Sequence, residues 1–135
     1  MSGARPRNRQ SAKAAGARFV RSCVDWLQGH GFPFAEVAPS WGAKDRGDVT
    51  GVRTLGGRHI VIECKNAARL DLAGWAAEAE AERVNDAAVA GVVFHKRHGV
   101  SDPGRQWVTL TLQDFAALVL GLRPGNDPIH ERTEQ

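Results

Sequence analysis

Hydrophobic and polar positions recur with two different periods along the chain, and the change of period marks its elements. Before about residue 30 the apolar residues recur every three or four positions, which is typical of a helix that buries one face. We predict this helix from Ser11, as N-cap, to about Gln28, because glycines follow at once. Its apolar positions are Ala12, Ala15, Phe19, Cys23, Trp26 and Leu27. A strand is expected over residues 32–38, and a polar loop over residues 39–47 leads to the next element.

Two short β-branched runs flank a Gly-Gly pair and predict a hairpin over residues 48–65, because glycine supplies the positive φ of a tight turn. With Gly56 and Gly57 as the turn, Leu55 lies opposite Arg58, Thr50 opposite Glu63 and Asp48 opposite Lys65. Opposed residues share a face and side chains alternate along a strand. One face should therefore carry Asp48, Thr50, Glu63 and Lys65, and the core face Val49, Ile60, Ile62 and Cys64.

The rest of the chain alternates helices and strands. Asp71 caps a predicted helix that extends to about Asn85, and an apolar strand over residues 87–95 follows. This strand should run parallel to the preceding one, because a helix connects them. A further strand is expected over residues 106–112 and a last helix from 113 to about 122. The fold class is therefore α/β, with a mixed central β-sheet flanked by helices.

The length of the chain and the distribution of its charges indicate how its domain and its termini are organised. A chain of 135 residues forms one domain, predicted over residues 11–122, between a disordered basic arm at 1–10 and a flexible tail at 123–135. The net charge is only +3, but the first 24 residues hold no acid. Such a basic segment suits a phosphate backbone, although a solvated tail is the simpler alternative.

Cysteine usage and hydropathy favour a soluble, cytoplasmic protein. Cys23 and Cys64 both fall at predicted core positions, where free thiols behave as small hydrophobes. The N-terminus lacks the apolar stretch of a signal peptide. No apolar run approaches the roughly 20 residues that a membrane span needs, so no membrane partner is expected.

The polar face of the hairpin gathers two carboxylates and an ammonium, which is costly unless something needs them there. Asp48 and Glu63 offer hard oxygen ligands for Mg²⁺, with Mn²⁺ as a substitute. Lys65 beside them could orient a water or stabilise charge on a phosphate. The alternative is a surface salt bridge across the hairpin, which would contribute little stability.

Asp48, followed fifteen residues later by Glu63-Cys64-Lys65, resembles the active-site motif of the PD-(D/E)XK nuclease superfamily, with Gly47 where the motif has proline. Within the superfamily the chain resembles small Holliday-junction-resolvase-like nucleases, such as the archaeal resolvases and short phage or actinobacterial relatives. The segments that carry this resemblance are 16–19, 31–32, 44–48, 63–66, 78–83 and 93–96.

The resemblance implies a restriction-endonuclease-like core and a metal-dependent DNA endonuclease that acts on four-way junctions as a homodimer, in recombination and repair. It implies metal ligation by Asp48, Glu63 and the carbonyl of Cys64, with Lys65 acting on the attacking water or the transition state. Such resolvases commonly place a glutamate on the first helix, where this chain has Val20. Val20 leaves a non-catalytic DNA-binding relative as one alternative. The other is a nuclease of the same fold that acts on linear or single-stranded DNA, because loops and dimer geometry select the substrate.

Several further residues are candidates for DNA or metal contact. Asp45 is a possible extra carboxylate, although an aspartate in a loop often caps its own turn. Glu78 and Glu82, four residues apart, could share a helix face near the metal, but a solvated face is the simpler alternative. The residues predicted to contact DNA, mainly at its phosphates, are Lys13, Arg18, Ser40, Trp41, Lys44, Arg46, Lys96 and Arg97.

Overall fold

The computed structural model describes residues 8–39 and 45–125 as an α/β fold with a five-stranded sheet and three flanking helices. Ser40, Trp41 and Lys44 lie outside the described residues. The helices are α1 (Arg9–Gly29), α2 (Leu72–Asp86) and α3 (Leu112–Leu120), with a 3₁₀ turn at Pro103–Arg105. The strands are β1 (Glu36–Val37), β2 (Val49–Thr50), β3 (Ile60–Lys65), β4 (Ala90–His95) and β5 (Trp107–Thr109).

The sheet is mixed, as the sequence predicts, and its strands follow chain order from β1 to β5. Strands β3 and β4 are parallel, which confirms the prediction made from the helix between them, and every other neighbouring pair is antiparallel. Lys65 at the end of β3 pairs with His95 at the end of β4. The loops after these two strands therefore leave the sheet at the same edge.

Helices α1 and α2 cover opposite faces of the sheet. On one face, Val24 and Leu27 of α1 belong to a core cluster with Ile62. On the other, Trp75 and Ala79 of α2 pack against Val93 of β4. Ala117 of α3 is buried in a third cluster with Val89 and Ala90. Residues that alternate along β3 thus face different helices.

The predicted N-cap of the first helix is wrong. Asn8 caps α1, since its side-chain oxygen accepts a hydrogen bond from the Ser11 amide at 2.8 Å. Arg9 and Gln10 therefore belong to the helix. Asp71 caps α2 as predicted, accepting from the Gly74 amide at 3.1 Å.

The hairpin register also differs from the prediction, and two local features explain the difference. Its loop has three central residues rather than two: Gly57 has a φ of 88° and donates its N–H to Thr54. Gly51, with a φ of 83°, then adds one residue to the first strand, between the Arg53–His59 bridge and the Val49–Ile62 pair.

These two shifts have the same direction and total two residues, so the side chains keep their faces. Their position along the hairpin changes: the Asp48 amide donates to the Ile62 carbonyl at 2.8 Å, and the Asp48 carboxylate accepts from the Cys64 amide at 2.8 Å. Asp48 therefore lies beside Glu63 rather than opposite Lys65.

Candidate metal centre

Strand β3 and helix α2 run in opposite directions, and their polar side chains meet in pairs. At the middle of α2, the Lys65 ammonium is 2.8 Å from Glu78. At its end, Nδ1 of His59 is 3.2 Å from Asp86. Each of these outer acids has a basic partner on the strand side.

The middle pair has two acids instead. Glu63 and Glu82 are 5% and 3% exposed. Each has an oxygen within 4.8 Å of the other's and of an oxygen of Asp45. One oxygen of each glutamate, Oε1, is buried and has no hydrogen-bond partner among the described residues. The three acids therefore form a cluster that could hold a metal ion, and two of them contribute an unsatisfied buried oxygen.

Burial favours the protonated, neutral form of the two buried glutamates when no cation is bound. Burial and the neighbouring charge of Asp48 raise the pKa of Glu63 to about 10. Burial raises the pKa of Glu82 to about 7. Near neutral pH the Glu63 carboxyl is therefore protonated until a cation replaces the proton.

The prediction that Glu78 and Glu82 both face solvent is wrong for Glu82. The spacing of residues 78, 82 and 86 was the available signal, because positions four apart share one face of a helix. Small residues such as Ala79 let this face approach the sheet, where Gly91 leaves room: a Cβ there would lie 2.8 Å from the Ala79 carbonyl. The acids on that face are consequently held against β3.

Asp45 has the structural role and also belongs to the cluster. Its carboxylate accepts the Gly47 amide at 2.8 Å, which is the turn-capping contact expected of a loop aspartate. Its carbonyl accepts from the Asn85 side chain of α2 at 2.8 Å. Asp45 is therefore fixed to both the hairpin and α2.

Gly47 shows why glycine stands where the nuclease motif has proline. Its φ is 100°, whereas proline is restricted to about −65°. A Cβ at this position would also lie 2.8 Å from the Ile62 carbonyl. The turn that presents Asp45 and Asp48 thus requires glycine.

Lys65 forms the cationic edge of the cluster. Its ammonium lies 3.2 Å from Glu63 and 2.8 Å from Glu78. Burial acts to lower the pKa of Lys65, but hydrogen bonds and the charges of Glu78 and Glu63 outweigh it and raise that pKa. Lys65 is therefore a positioned positive charge, suited to holding a water or a developing negative charge.

The Cys64 side chain points away from the acids. Its thiol contacts the thiol of Cys23 on α1, and this contact raises the pKa of Cys64. Both thiols are free, as the sequence predicts. Metal ligation by the Cys64 carbonyl stays a prediction.

Val20 lies on the opposite face of the sheet from the acids. It packs against the core cluster that contains Val24 and Ile62. Glu82 of α2 therefore supplies a helix-borne carboxylate from the other side of β3, so a valine at position 20 does not leave the cluster with hairpin acids alone.

The described DNA-contact candidates fall into two groups. Arg18 and Lys96 line one groove between α1 and the β4–β5 connection. The Lys96 ammonium donates to the carbonyls of Arg97 and Val100, and the Arg97 guanidinium lies 4.4 Å from the Trp107 ring centre. The remaining two, Lys13 and Arg46, are exposed away from that groove. DNA contact by all of them stays a prediction.

Comparison with protein-family models, curated proteins and solved structures finds no match to this chain. Within residues 8–39 and 45–125, no helix combines the length and apolar character that crossing a membrane requires. The chain is thus an α/β protein with a mixed sheet. An acidic cluster that could hold a metal ion lies between β3 and α2.

Proposed function

We propose that this protein is a metal-dependent endonuclease of the PD-(D/E)XK type that hydrolyses DNA phosphodiester bonds, with four-way junctions or other branched DNA as substrate. One observation carries the proposal: Glu63 and Glu82, buried with unsatisfied oxygens, face each other beside a lysine two residues along the same strand. The ion pair with Lys65 uses one oxygen of Glu63 and leaves Oε1 of both glutamates unsatisfied, whereas a divalent cation would neutralise both acids.

The chain's own residues divide the work. Asp45, Glu63 and Glu82 would hold Mg²⁺, or Mn²⁺ in its place, with Asp48 adjacent through its contact with the Cys64 amide. When bound, the metal would supply Lewis-acid activation of the phosphate and lower the pKa of a bound water. Lys65 would orient the attacking water and stabilise charge on the phosphate, while Glu78 keeps its ammonium in place.

Branched DNA as the substrate rests on the resemblance, and the basic residues near the site support it. Arg18 and Lys96 share a groove with Asn66, the residue that follows Lys65. A phosphate backbone in this groove would lie on the α1 side of the sheet and reach the end of β3, where Lys65 extends toward α2.

A homodimer would bring two such sites to one junction. An exposed apolar stripe on α3 offers a surface for it, comprising Leu112, Phe115 and Val119 at helical spacing. Leu118 of the same helix packs against the core instead.

The test is cleavage of a labelled four-way junction, a matched linear duplex and a single strand, each with Mg²⁺, Mn²⁺ or EDTA. The decisive variant is Glu82→Gln, which removes one charge from the cluster and keeps its shape. Glu36→Gln is the control, since Glu36 is an exposed glutamate on β1.

We expect metal-dependent, paired cuts in the junction. Glu82→Gln should lower the rate by at least about tenfold, whereas Glu36→Gln should cut normally. Cutting of all three substrates would indicate a general nuclease of this fold. Binding without cutting in any metal would remove the catalytic assignment.

A further inference from the structure

A groove runs between α1 and the segment that connects β4 to β5. Its cationic part, the basic groove, is lined by Arg18, Arg21, Ser22, Asn66 and Lys96. Asp25 also lines it and lies 3.6 Å from Arg21. Three cations against one acid make the lining positive, and the basic groove begins at the residue after Lys65.

The basic groove continues into an apolar pocket, the aromatic slot, lined mainly by Trp26, Leu27, Phe94, Pro103 and Trp107. Trp26 and Pro103 line both depressions, so the two are continuous. The slot has a volume of about 210 Å³. Pockets for drug-sized ligands are larger, at about 300–1,000 Å³, so this slot suits a single planar ring system.

Each tryptophan ring of the slot has a second ring or a cation against it. Gly104 also packs on Trp26, since a Cβ there would lie 2.8 Å from the indole nitrogen, so Trp107 is the ring with room for stacking. Trp26 stacks on His30 with ring centres 4.1 Å apart and planes 6° from parallel. The Arg97 guanidinium lies over Trp107 at 4.4 Å. Trp107 is nevertheless 48% exposed on the edge strand β5, so core packing alone does not account for its placement.

We propose that the basic groove and the aromatic slot bind an unpaired stretch of DNA, with its phosphates along Arg18, Arg21 and Lys96 and one unstacked base in the slot. Cations beside aromatic rings are the combination that binds single strands, because each base offers a flat face for stacking. A fully paired duplex keeps its bases stacked inside and cannot fill the slot. This inference rests on the proposed function and adds that the enzyme selects DNA that contains unpaired bases.

The experiment measures binding by fluorescence anisotropy in EDTA, so that cleavage plays no part. The probes are a labelled oligothymidylate, an abasic strand of equal length and charge, and a blunt duplex. Trp107→Leu tests the slot, and Trp107→Phe restores an aromatic ring. Arg18→Gln combined with Arg21→Gln tests the groove, with Arg53→Gln, near the hairpin loop, as the control for charge.

We expect the wild type to bind the oligothymidylate roughly 5- to 160-fold more tightly than the abasic strand, which is the range that stacking of one base provides. Trp107→Leu should abolish this ratio and Trp107→Phe should keep most of it. The double arginine variant should weaken binding of both strands and reduce the slope of log affinity against log salt by about 1.4. Arg53→Gln should bind as the wild type does.

Equal binding of the base-bearing and abasic strands by the wild type would contradict the binding of a base in the aromatic slot. A double arginine variant with unchanged affinity and salt slope would contradict the binding of phosphates in the basic groove. If the wild type still cuts DNA with metal in either case, the proposed function stands and only this inference fails. A wild type that binds none of the probes and cuts nothing contradicts both.

Discussion

Replacing Glu63 with glutamine should make the metal-free protein more stable, although the change removes a residue proposed to be essential. Glu63 is buried between Asp48 and Glu82, and this position raises its pKa from 4.5 to about 10. Because the folded pKa lies above the unfolded one, the stability that the protonated form contributes is fully present below pH 4.5. It is lost progressively as the pH rises from 4.5 toward 10.

The size of the effect follows from that shift. At about pH 7.5 the unfolded carboxyl is ionised and the folded one is protonated, so three pH units at about 1.36 kcal/mol each give an upper value of about 4 kcal/mol. Relaxation of the folded protein around the buried carboxyl lowers this to about 2–4 kcal/mol. Two charges 4.8 Å apart, the upper limit within this cluster, repel by about 3.5 kcal/mol at an effective dielectric constant of about 20. Glutamine avoids this cost because it stays neutral.

The assay is urea unfolding of the wild type, Glu63→Gln and the control Glu36→Gln. In EDTA, Glu63→Gln should gain about 2–4 kcal/mol of unfolding free energy at about pH 7.5, and little at about pH 4. Mn²⁺ at a hundred times the wild-type dissociation constant should narrow this difference, because it adds about 2.7 kcal/mol to the wild type and at most about 1.4 kcal/mol to a variant that binds tenfold more weakly. The control should stay within about 0.5 kcal/mol of the wild type throughout.

A Glu63→Gln protein that is less stable than the wild type in EDTA at about pH 7.5 would refute this reasoning. That result would mean that Glu63 is satisfied in the folded protein and that the acids need no cation. A gain that persists unchanged at about pH 4 would also contradict it, since the carboxyl is then neutral in both states.

Three further predictions concern neighbouring positions. Gly47→Ala should lower the unfolding free energy by about 1–3 kcal/mol and weaken Mn²⁺ binding, because its φ of 100° and the close Ile62 carbonyl leave a side chain strained; urea unfolding and metal titration measure this. Glu78→Gln should change stability by less than about 1 kcal/mol, since Glu78 is half exposed, yet slow single-turnover cleavage several-fold as Lys65 loses its 2.8 Å partner. Burial lowers the pKa of His95, so the stability tied to its neutral form is present above about pH 6.5 and lost as the pH falls below that value. Urea unfolding of His95→Gln should therefore show a smaller loss than the wild type between about pH 6.5 and 5.

The faces of the hairpin were predictable from the sequence, whereas its register was not. Alternation along β3 sends Glu63 and Lys65 to one side whichever residue lies opposite them. The bulge at Gly51 depends on the approach of the turn that precedes β1, because a Cβ at Gly51 would clash with the Phe34 carbonyl. A contact between residues so far apart in the chain leaves no local pattern.

The helix-borne carboxylate was missed for a related reason. An alanine-rich helix with scattered acids predicts that those acids face solvent. Only the packing of α2 against β3 shows that Glu82 lies beside Glu63. The four-residue spacing of its acids was visible, but the sequence does not tell which face of a helix meets the sheet. The predicted parallel crossover succeeded because the connecting helix itself enforces it.

The most direct test of the account is equilibrium binding of Mn²⁺, followed by electron paramagnetic resonance of the free ion, to the wild type, Glu63→Gln, Glu82→Gln and Glu36→Gln. The account predicts at least one bound ion per wild-type and Glu36→Gln chain, and affinity lowered at least about tenfold in the other two. Wild-type protein that leaves all Mn²⁺ free, or Glu82→Gln that binds it as tightly as the wild type, would contradict a metal centre between β3 and α2.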